Sequence, residues 1–573
     1  MSPAPFPVVV PLAAAAVLAA LSTLHVRRLA DVTAIAAAAT TTVSSLWLMV
    51  SSSGTTEVYW FGGWHPRGGT ALGIDFAIDP IGAGLAALAG LMVTLAFLFS
   101  IGYFDEIGQM LFQVLMLIVL AAMGGFALTG DLFDMFVFLE LMSVAAVALT
   151  MYMNDEAGPL QGGINFLVTS TVGAFLMLIG ITLLYARTGA LNLAEVGRAL
   201  AGHPADGLVV TAFVLIAAGL LTKAATVPLH LWLVDAYTVA PLPVAIVFPG
   251  VLGEMGLYGL ARVYTTVFAG PFSGHQEGLR WILVAAGVAT ALVGAAGCLV
   301  EIRLKRLLAY ATLSHLGMFL AGLGLLEPVG LAGVAVWIAA DAPVKAALFM
   351  LVGAVRRRAS ARGAASLIAL GGLLSAAPPL SGGFLGKSMV AIAAQEAGFS
   401  WLIWVIATVS ALVAAALLRA AWLVLREPGR AVPLGADDVR PLSAWTGWMA
   451  GLLLAAAVAI GVVPQLAERV RSAATLAWDR SAYVSAVLGG QAPVAPGGAS
   501  VPVTATDLGA AVLSLTAALA VAAMLITRPH AAAAVRRTAR TLTVLQTGHV
   551  GEYVAWMMAG VALLGGASAL VVR

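Results

Sequence analysis

Residues 207–232 read GLVVTAFVLIAAGLLTKAATVPLHLW, and this stretch decides the class of fold. Residues 207–222 carry no charge, and with the residues that follow they reach the length of about 20 residues that a helix needs to cross a bilayer. Lys223 then stands at membrane depth, and Pro228 interrupts the helix because proline lacks a backbone N–H. Irregular backbone at that depth is tolerated only where protein buries it or where it lines a cavity. The stretch therefore predicts a broken membrane-spanning helix inside a larger bundle.

The rest of the chain repeats this apolar pattern. Of its 573 residues 61% are hydrophobic and 10% are charged, whereas soluble domains carry about 25% charged residues. A β-barrel would show short alternating segments instead of long apolar runs. We predict an all-α polytopic membrane protein with about 14 core transmembrane helices and two C-terminal spans, near residues 6–24, 29–50, 79–101, 111–129, 132–153, 163–185, 207–227, 240–266, 279–300, 306–325, 328–354, 364–394, 400–424, 442–463, 505–527 and 552–571.

Two stretches are too polar to span the bilayer. Residues 51–78, which contain many aromatic residues and glycines, predict a hairpin over the membrane surface. Residues 464–504 predict a polar linker between a transmembrane core at 1–463 and a two-span tail at 505–573. Arginine is concentrated in one set of alternate loops, which predicts that these loops are cytoplasmic and that both termini are outside.

The lysines are the first sign of function. The chain has four, and three of them, Lys223, Lys345 and Lys387, fall inside apolar spans. Burying an ammonium group costs at least about 2.5–3.5 kcal/mol, so random placement does not explain this pattern. A buried lysine can release its proton near neutral pH, whereas arginine stays charged. The pattern therefore indicates a proton relay.

Three acids, Glu140, Glu254 and Asp341, also lie at membrane depth. Asp341 and Lys345 are four residues apart, so they share one helix face and can pair. Two interpretations stay open for this pair: a static ion pair that fixes helix packing, or a pair on an ion path. Six ionisable groups inside the spans of one chain favour the second interpretation for the set.

A second helix break precedes Lys387, which follows the sequence PPLSGG at 378–383. The two breaks fall in the seventh and twelfth predicted spans, five spans apart. Broken helices at matching positions in two halves are typical of transporters built from inverted repeats. We therefore predict two inverted five-helix repeats, spans 4–8 and 9–13. The alternative is that each proline merely kinks its helix.

Other candidate sites are weaker. His230 and His315 can titrate near neutral pH, but a lone histidine is more often structural, so they are secondary candidates for the relay. Residues 381–388, SGGFLGKS, nearly match a phosphate-binding loop, yet no strand precedes them and they lie in an apolar span. One cysteine and no histidine cluster argue against an iron–sulfur or haem site held by this chain alone. We predict no cofactor, no metal site and no nucleic-acid partner.

Five stretches carry a resemblance to a known family. The sequence is similar to the antiporter-like membrane subunits of Mrp-type cation/proton antiporters (above all their D subunit), respiratory complex I and membrane-bound hydrogenases. The similar stretches run through most of residues 80–425: FLELMSVAAVAL (138–149), LLTKAATVPLHLWLVDAYTVAPLPV (220–244), EIRLKRLLAYATLSHLGM (301–318), DAPVKAALFMLVGAV (341–355) and PPLSGGFLGK (378–387).

The resemblance implies a role for each matching position. Glu140 corresponds to the acid that tunes the lysine of the broken seventh helix, here Lys223. Lys345 corresponds to the central relay lysine, and Lys387 to the ionisable group of the broken twelfth helix. Glu254 departs from the family pattern, because an acid stands where relatives usually carry a lysine.

Two functions follow as hypotheses. The first is a proton-translocating subunit of a multi-subunit Mrp-type Na+/proton antiporter in a prokaryotic cell membrane, a transporter subunit rather than an enzyme. The second is a non-catalytic proton-pumping subunit of a complex I-like quinone oxidoreductase or a hydrogenase-like complex. Both imply other membrane subunits as partners, protons as cargo and the lipid bilayer as surroundings.

Overall fold

The computed structural model describes residues 2–22, 27–101, 103–104, 106–153, 157–355, 361–431, 444–489, 504–528 and 548–572. The described chain is mainly helical. Its elements are α1 Phe6–Leu21, α2 Arg27–Ser51, β1 Glu57–Trp60, β2 Asp75–Ile78, α3 Pro80–Ser100, α4 Glu106–Leu128, α5 Leu132–Thr150, α6 Ala157–Thr188, α7 Leu193–Ala199, α8 Gly207–Lys223, α9 Leu231–Val239, α10 Leu242–Val247, α11 Gly253–Val263, α12 Gln276–Val300, α13 Leu304–Leu323, α14 Pro328–Val355, α15 Ala361–Ser375, α16 Gly382–Glu396, α17 Leu402–Arg426, α18 Pro428–Ala431, α19 Ala444–Val462, α20 Pro464–Trp478, α21 Arg480–Gly489, α22 Ala505–Thr527 and α23 Val550–Val572.

The helices confirm the predicted all-α polytopic fold. In the described part of the chain, 13 helices are long and apolar enough to cross a membrane. Three shorter apolar helices, α1, α8 and α15, lie at further predicted spans. The inverted relation between the two sets of five spans stays a prediction.

The segment before α3 forms the predicted hairpin. Strands β1 and β2 pair antiparallel, with Glu57 opposite Ile78 and Trp60 opposite Asp75. The hairpin packs on the start of α5, where the Gly130 N–H donates to the Asp75 carbonyl at 3.0 Å. It therefore covers one end of the first half of the bundle.

Both predicted helix breaks are present, and their backbones are alike. The first half-helix α8 ends at Lys223, and Ala225, two residues later, has φ +50°. At the second break, the preceding helix α15 ends at Ser375, and Ala377, two residues later, has φ +57°. Left-handed backbone costs an L-residue roughly 1–2 kcal/mol, so packing must impose it at both places.

Each break is covered by one helix of the C-terminal tail. Helix α22 packs on the second break, where the Ser514 hydroxyl donates to the Ala376 carbonyl at 3.3 Å. Helix α23 packs on the first break, where a Cβ added at Gly560 would lie 2.7 Å from Pro228 Cγ. The two-span tail is therefore packed against the core in the described residues, although its separation as a domain stays a prediction.

The predicted polar linker at 464–504 contains two helices, α20 and α21, with residues 490–503 outside the described ranges. The Tyr483 side chain of α21 is 2% exposed and lies with its ring 5.6 Å from the Arg262 guanidinium carbon. This stretch is thus packed against the core over at least part of its length.

Candidate proton-transfer site

The first break places Lys223 inside the protein. The side chain is 3% exposed, and its Nζ donates to Ser143 Oγ on α5 at 3.0 Å. Glu140 lies one helical turn before Ser143, and its buried Oε2 has no hydrogen-bond partner. No ion pair joins Glu140 to Lys223 within 4.0 Å among the described residues, so Ser143 is the direct contact between α5 and the lysine.

Aromatic packing holds this break in shape. Phe166 stacks on Trp232, with ring centroids 4.2 Å apart and planes within 6°. The Trp232 indole N–H donates at 2.9 Å to the Thr222 carbonyl, which also accepts from the Ala225 N–H at 3.0 Å. Lys223 Nζ lies 5.5 Å from the Phe166 centroid, which places a cation beside the face of the ring.

Four ionisable side chains meet at the centre of the bundle. Lys345 Nζ lies 2.7 Å from Asp341 Oδ2 on its own helix and 3.2 Å from Glu254 Oε1 on α11. His315 Nδ1 on α13 lies 2.6 Å from Asp341 Oδ1. All four residues are at most 6% exposed. The predicted Asp341–Lys345 pair is confirmed, and it is part of a larger cluster.

The position of Glu254 depends on a backbone irregularity. Residues Phe248–Leu252 form one π-helical turn directly before α11, and such turns are frequent at functional sites. The Tyr237 hydroxyl donates to the Phe248 carbonyl at 3.1 Å inside this turn. Glu254 Oε2 is buried without a partner, so the acid has one oxygen bound to the lysine and one free.

The charge of this cluster depends on one proton. Two carboxylates and one ammonium group carry a net charge of −1, and a proton on His315 brings the sum to zero. His315 Nε2 is buried and has no hydrogen-bond partner, so it has a free nitrogen that can take or give a proton. An unpaired buried charge is costly, so neighbouring protonation states are coupled.

The second break places Lys387 on α16, where it is half-buried. Its Nζ donates to Ser410 Oγ at 2.6 Å and lies 4.7 Å from the Trp337 ring. The Trp337 ring is also 6.4 Å from that of His315 and 5.1 Å from that of Phe319. Two aromatic side chains therefore stand between the central cluster and the terminal lysine.

His230 is buried just before α9, and its Nδ1 has no partner. Within the described part of the chain, no hydrogen bond or ion pair connects it to Lys223. The structure thus brings His315 into a cluster and leaves His230 apart from the lysine that precedes it by seven residues.

Sequence reasoning missed two buried arginines at span ends. Arg262 on α11 forms an ion pair with Asp79, which caps the N-terminus of α3, and also donates to the Tyr258 hydroxyl. Arg419 on α17 donates to the Leu299 carbonyl at 2.7 Å, at the end of α12. The Asp-Pro pair at 79–80 was the one available signal, because it is typical of a helix start.

Residues 129–414 match the family described as "NADH:quinone oxidoreductase/Mrp antiporter, TM". The N subunit of the NADH-quinone oxidoreductase of Desulforudis audaxviator is 31% identical over 411 residues, which cover 67% of this chain and 79% of that protein. The chain belongs to this family. The matched range contains every side chain of the three lysine sites described above.

Other members of the family are antiporter subunits. The D subunit of the Na(+)/H(+) antiporter of Bacillus subtilis is 29% identical over 359 residues, 59% of this chain and 69% of that protein. The "Structure of Mrp complex from Dietzia sp. DQ12-45-1b" contains a chain with a TM-score of 0.74 and 25% identity, covering 85% of this chain and 99% of that one. An archaeal "membrane-bound sulfane sulfur reductase" contains a chain of the same fold, with a TM-score of 0.72 and 23% identity over 85% of this chain and all of that one.

These similarities confirm the family resemblance that the five sequence stretches predict. The relatives include subunits of antiporters and of quinone oxidoreductases, so membership alone does not choose between the two hypotheses. The multi-pass membrane character and the likeness to subunits of larger assemblies are both established by these findings.

Proposed function

We propose that this chain is the proton-translocating subunit of a multi-subunit Mrp-type Na+/proton antiporter in a prokaryotic cell membrane, with both termini outside. The buried cluster of Glu254, Lys345, Asp341 and His315 carries the proposal. A membrane interior that holds two acids, an amine and an imidazole within hydrogen-bond distance has a clear use in proton transfer, whereas a packing role needs only one ion pair.

In this proposal protons pass through three stations. Lys223, with Glu140 nearby, exchanges protons on one side, the four-residue cluster passes them across the centre, and Lys387 releases them on the other side. Each proton that arrives changes the charge next to the following group. Moving one charge against 100 mV takes about 2.3 kcal/mol, and a charge change at about 3–4 Å inside protein supplies an interaction of at least that size.

Replacement of the first station tests the proposal. Lys223→Ala and Glu140→Ala should each abolish Na+-driven proton movement in everted membrane vesicles that contain the assembled complex, because the relay loses its entry group. Arg187→Ala is the matched control, since Arg187 pairs with Asp206 on the surface and its side chain is 48% exposed. Normal proton flux in both relay variants, at normal protein abundance, would end the relay proposal.

The second candidate function is the pumping subunit of a quinone oxidoreductase. The 31% identity to the N subunit of such an enzyme favours it. The two functions differ in what drives the protons. Proton movement in vesicles that responds to a Na+ gradient without any electron donor supports the antiporter, whereas movement that needs an electron donor and a quinone supports the pump.

A further inference from the structure

An open pocket with a cavity volume of about 40 Å³ lies between α16, α17 and α22. Most of its lining is apolar and comes from small residues. Its polar lining groups are Lys387 and Ser388 of the core and Asp507 and Ser514 of the tail. The pocket therefore joins the terminal lysine of the relay to a carboxylate from a helix that lies beyond the family-matched residues.

Asp507 caps the start of α22 with only one of its two carboxylate oxygens. It is 5% exposed and lies in the first turn of α22, where its Oδ2 accepts from the Thr504 N–H at 2.9 Å and from the Thr504 hydroxyl at 2.7 Å. Both of these bonds go to the same oxygen. This cap, formed by Thr504 and Asp507, thus uses Oδ2 only, and Oδ1 makes no bond in it.

The core side of the pocket also carries a buried polar group that has no hydrogen-bond partner. Ser388 is 2% exposed, and its Oγ has no hydrogen-bond partner in the structure. A buried hydroxyl without a partner is uncommon and is often satisfied by water. Because a cavity needs about 10–15 Å³ of such volume to hold one water, the pocket can hold a few waters beside Lys387 and Ser388.

We propose that Asp507 accepts the proton that leaves Lys387 and passes it to the outer surface of the membrane. The proton leaves the Nζ ammonium group, which becomes a neutral amine, and travels through water in the pocket to the carboxylate, which becomes a neutral acid. That acid then returns the proton to outside water. This role rests on the proposed function, and it gives the first helix of the tail a part in transport.

The position of α22 suits this role. Ser514 bonds to the Ala376 carbonyl at the second break, so α22 is fixed against the broken helix that carries the lysine. Asp507 lies two turns nearer the start of α22 than Ser514 does, and the proposed topology puts that start outside. The proton therefore moves outward along the pocket, between apolar walls that offer it few other acceptors.

Transport by the assembled complex in vesicles tests the inference. Asp507→Asn keeps an oxygen that can accept from Thr504 but cannot take up a proton, so we expect a fall in proton-coupled transport of about tenfold or more. Asp507→Glu should retain transport and shift its pH profile, which a helix cap alone would not do. Asp479→Asn is the matched control, because Asp479 also accepts from the start of a helix, α21, but is exposed and lies away from the pocket.

The Asp507 and Lys387 variants together separate the role of Asp507 from the proposed function. Normal transport and an unchanged pH profile in both Asp507 variants, with transport blocked in Lys387→Ala, would overturn the role of Asp507 and leave the relay intact. Normal transport in Lys387→Ala as well would contradict the proposed function itself. If Asp507→Asn fails to accumulate in the membrane, the pH profile of Asp507→Glu decides, and a profile equal to that of the unmodified complex overturns the inference.

Discussion

Lys223 and Lys387 stand at two helix breaks with similar backbones, yet their surroundings differ. Lys223 is 3% exposed and lies beside a stacked aromatic pair, whereas Lys387 is half-buried and lines an open pocket. Two similar breaks therefore place one lysine in a closed site and the other beside an open pocket. The two proposed relay lysines therefore differ in their access to surrounding space, although the backbones that position them are similar.

The two halves of the bundle also differ at the ends that face the proposed outer side. The hairpin of β1 and β2 covers the start of α5, and Asp75 is fully buried there, with its Oδ1 accepting from the Asn192 amide at 2.8 Å. No such cover lies over the pocket beside Lys387 among the described residues. Among the described residues, a hairpin covers this end of the first half, whereas a pocket lies beside Lys387 in the second half.

The largest expected difference is chemical access to the two lysine positions. In a Cys298→Ala background, which removes the buried native thiol, Lys387→Cys should react with a water-soluble thiol reagent at least about tenfold faster than Lys223→Cys, because reaction needs exposure. The rate of labelling in membranes measures this. Equal rates would mean that the two sites are equally open and would contradict the contrast between them.

A second expected difference concerns the space around one glycine near each break. A Cβ added at Gly256 would lie 2.5 Å from the Leu220 carbonyl oxygen of α8, whereas one added at Gly383 would meet nothing closer than Ala377 Cβ at 3.4 Å. Gly256→Ala should therefore lower stability by about 1–3 kcal/mol through overpacking, and Gly383→Ala should change it little. Thermal unfolding of the detergent-purified complex measures both. An unchanged stability of Gly256→Ala would show that α8 can shift to make room for the added methyl group.

The smallest expected effect concerns the hairpin cover. Burial, together with the nearby charges of Asp131 and Asp134, raises the pKa of Asp75 to about 8. The unfolded chain loses this proton above about pH 4, while the folded chain keeps it until about pH 8, so the folded state should lose stability as pH rises between these values.

Asp75→Asn removes this titration and should flatten the fall in melting temperature between about pH 5 and about pH 8. Asp206→Asn, at a surface pair, is the control and should leave the slope in place. An unchanged slope in Asp75→Asn would mean that the carboxyl is hydrated and that the hairpin does not close this end.

Sequence patterns predicted the features that depend on neighbours along the chain. The positions of the spans follow from apolar length, the Asp341–Lys345 pair follows from a spacing of four residues, and both breaks follow from their prolines. The hairpin at 51–78 was also correct. Each of these depends on interactions within about one element, which is why a single sequence carries them.

The sequence did not predict contacts between residues that are far apart along the chain. Glu254 and Lys345 are 91 residues apart, and His315 and Asp341 are 26 residues apart, so their meeting depends on how helices pack. The family resemblance implies that Glu140 tunes Lys223, which stays a prediction, and it gave no sign that Ser143 would form the hydrogen bond to the lysine. The buried Arg262 and Arg419 were missed because a charge near the end of an apolar span is usually solvated.

The placement of α22 and α23 has a consequence for biogenesis. The tail is synthesised after the core, and each of its helices covers one of the two breaks. A nascent core therefore has both breaks uncovered until α22 and α23 have been synthesised and have packed against it. A chain truncated before α22 would keep all three buried lysines and lose the cover over both breaks.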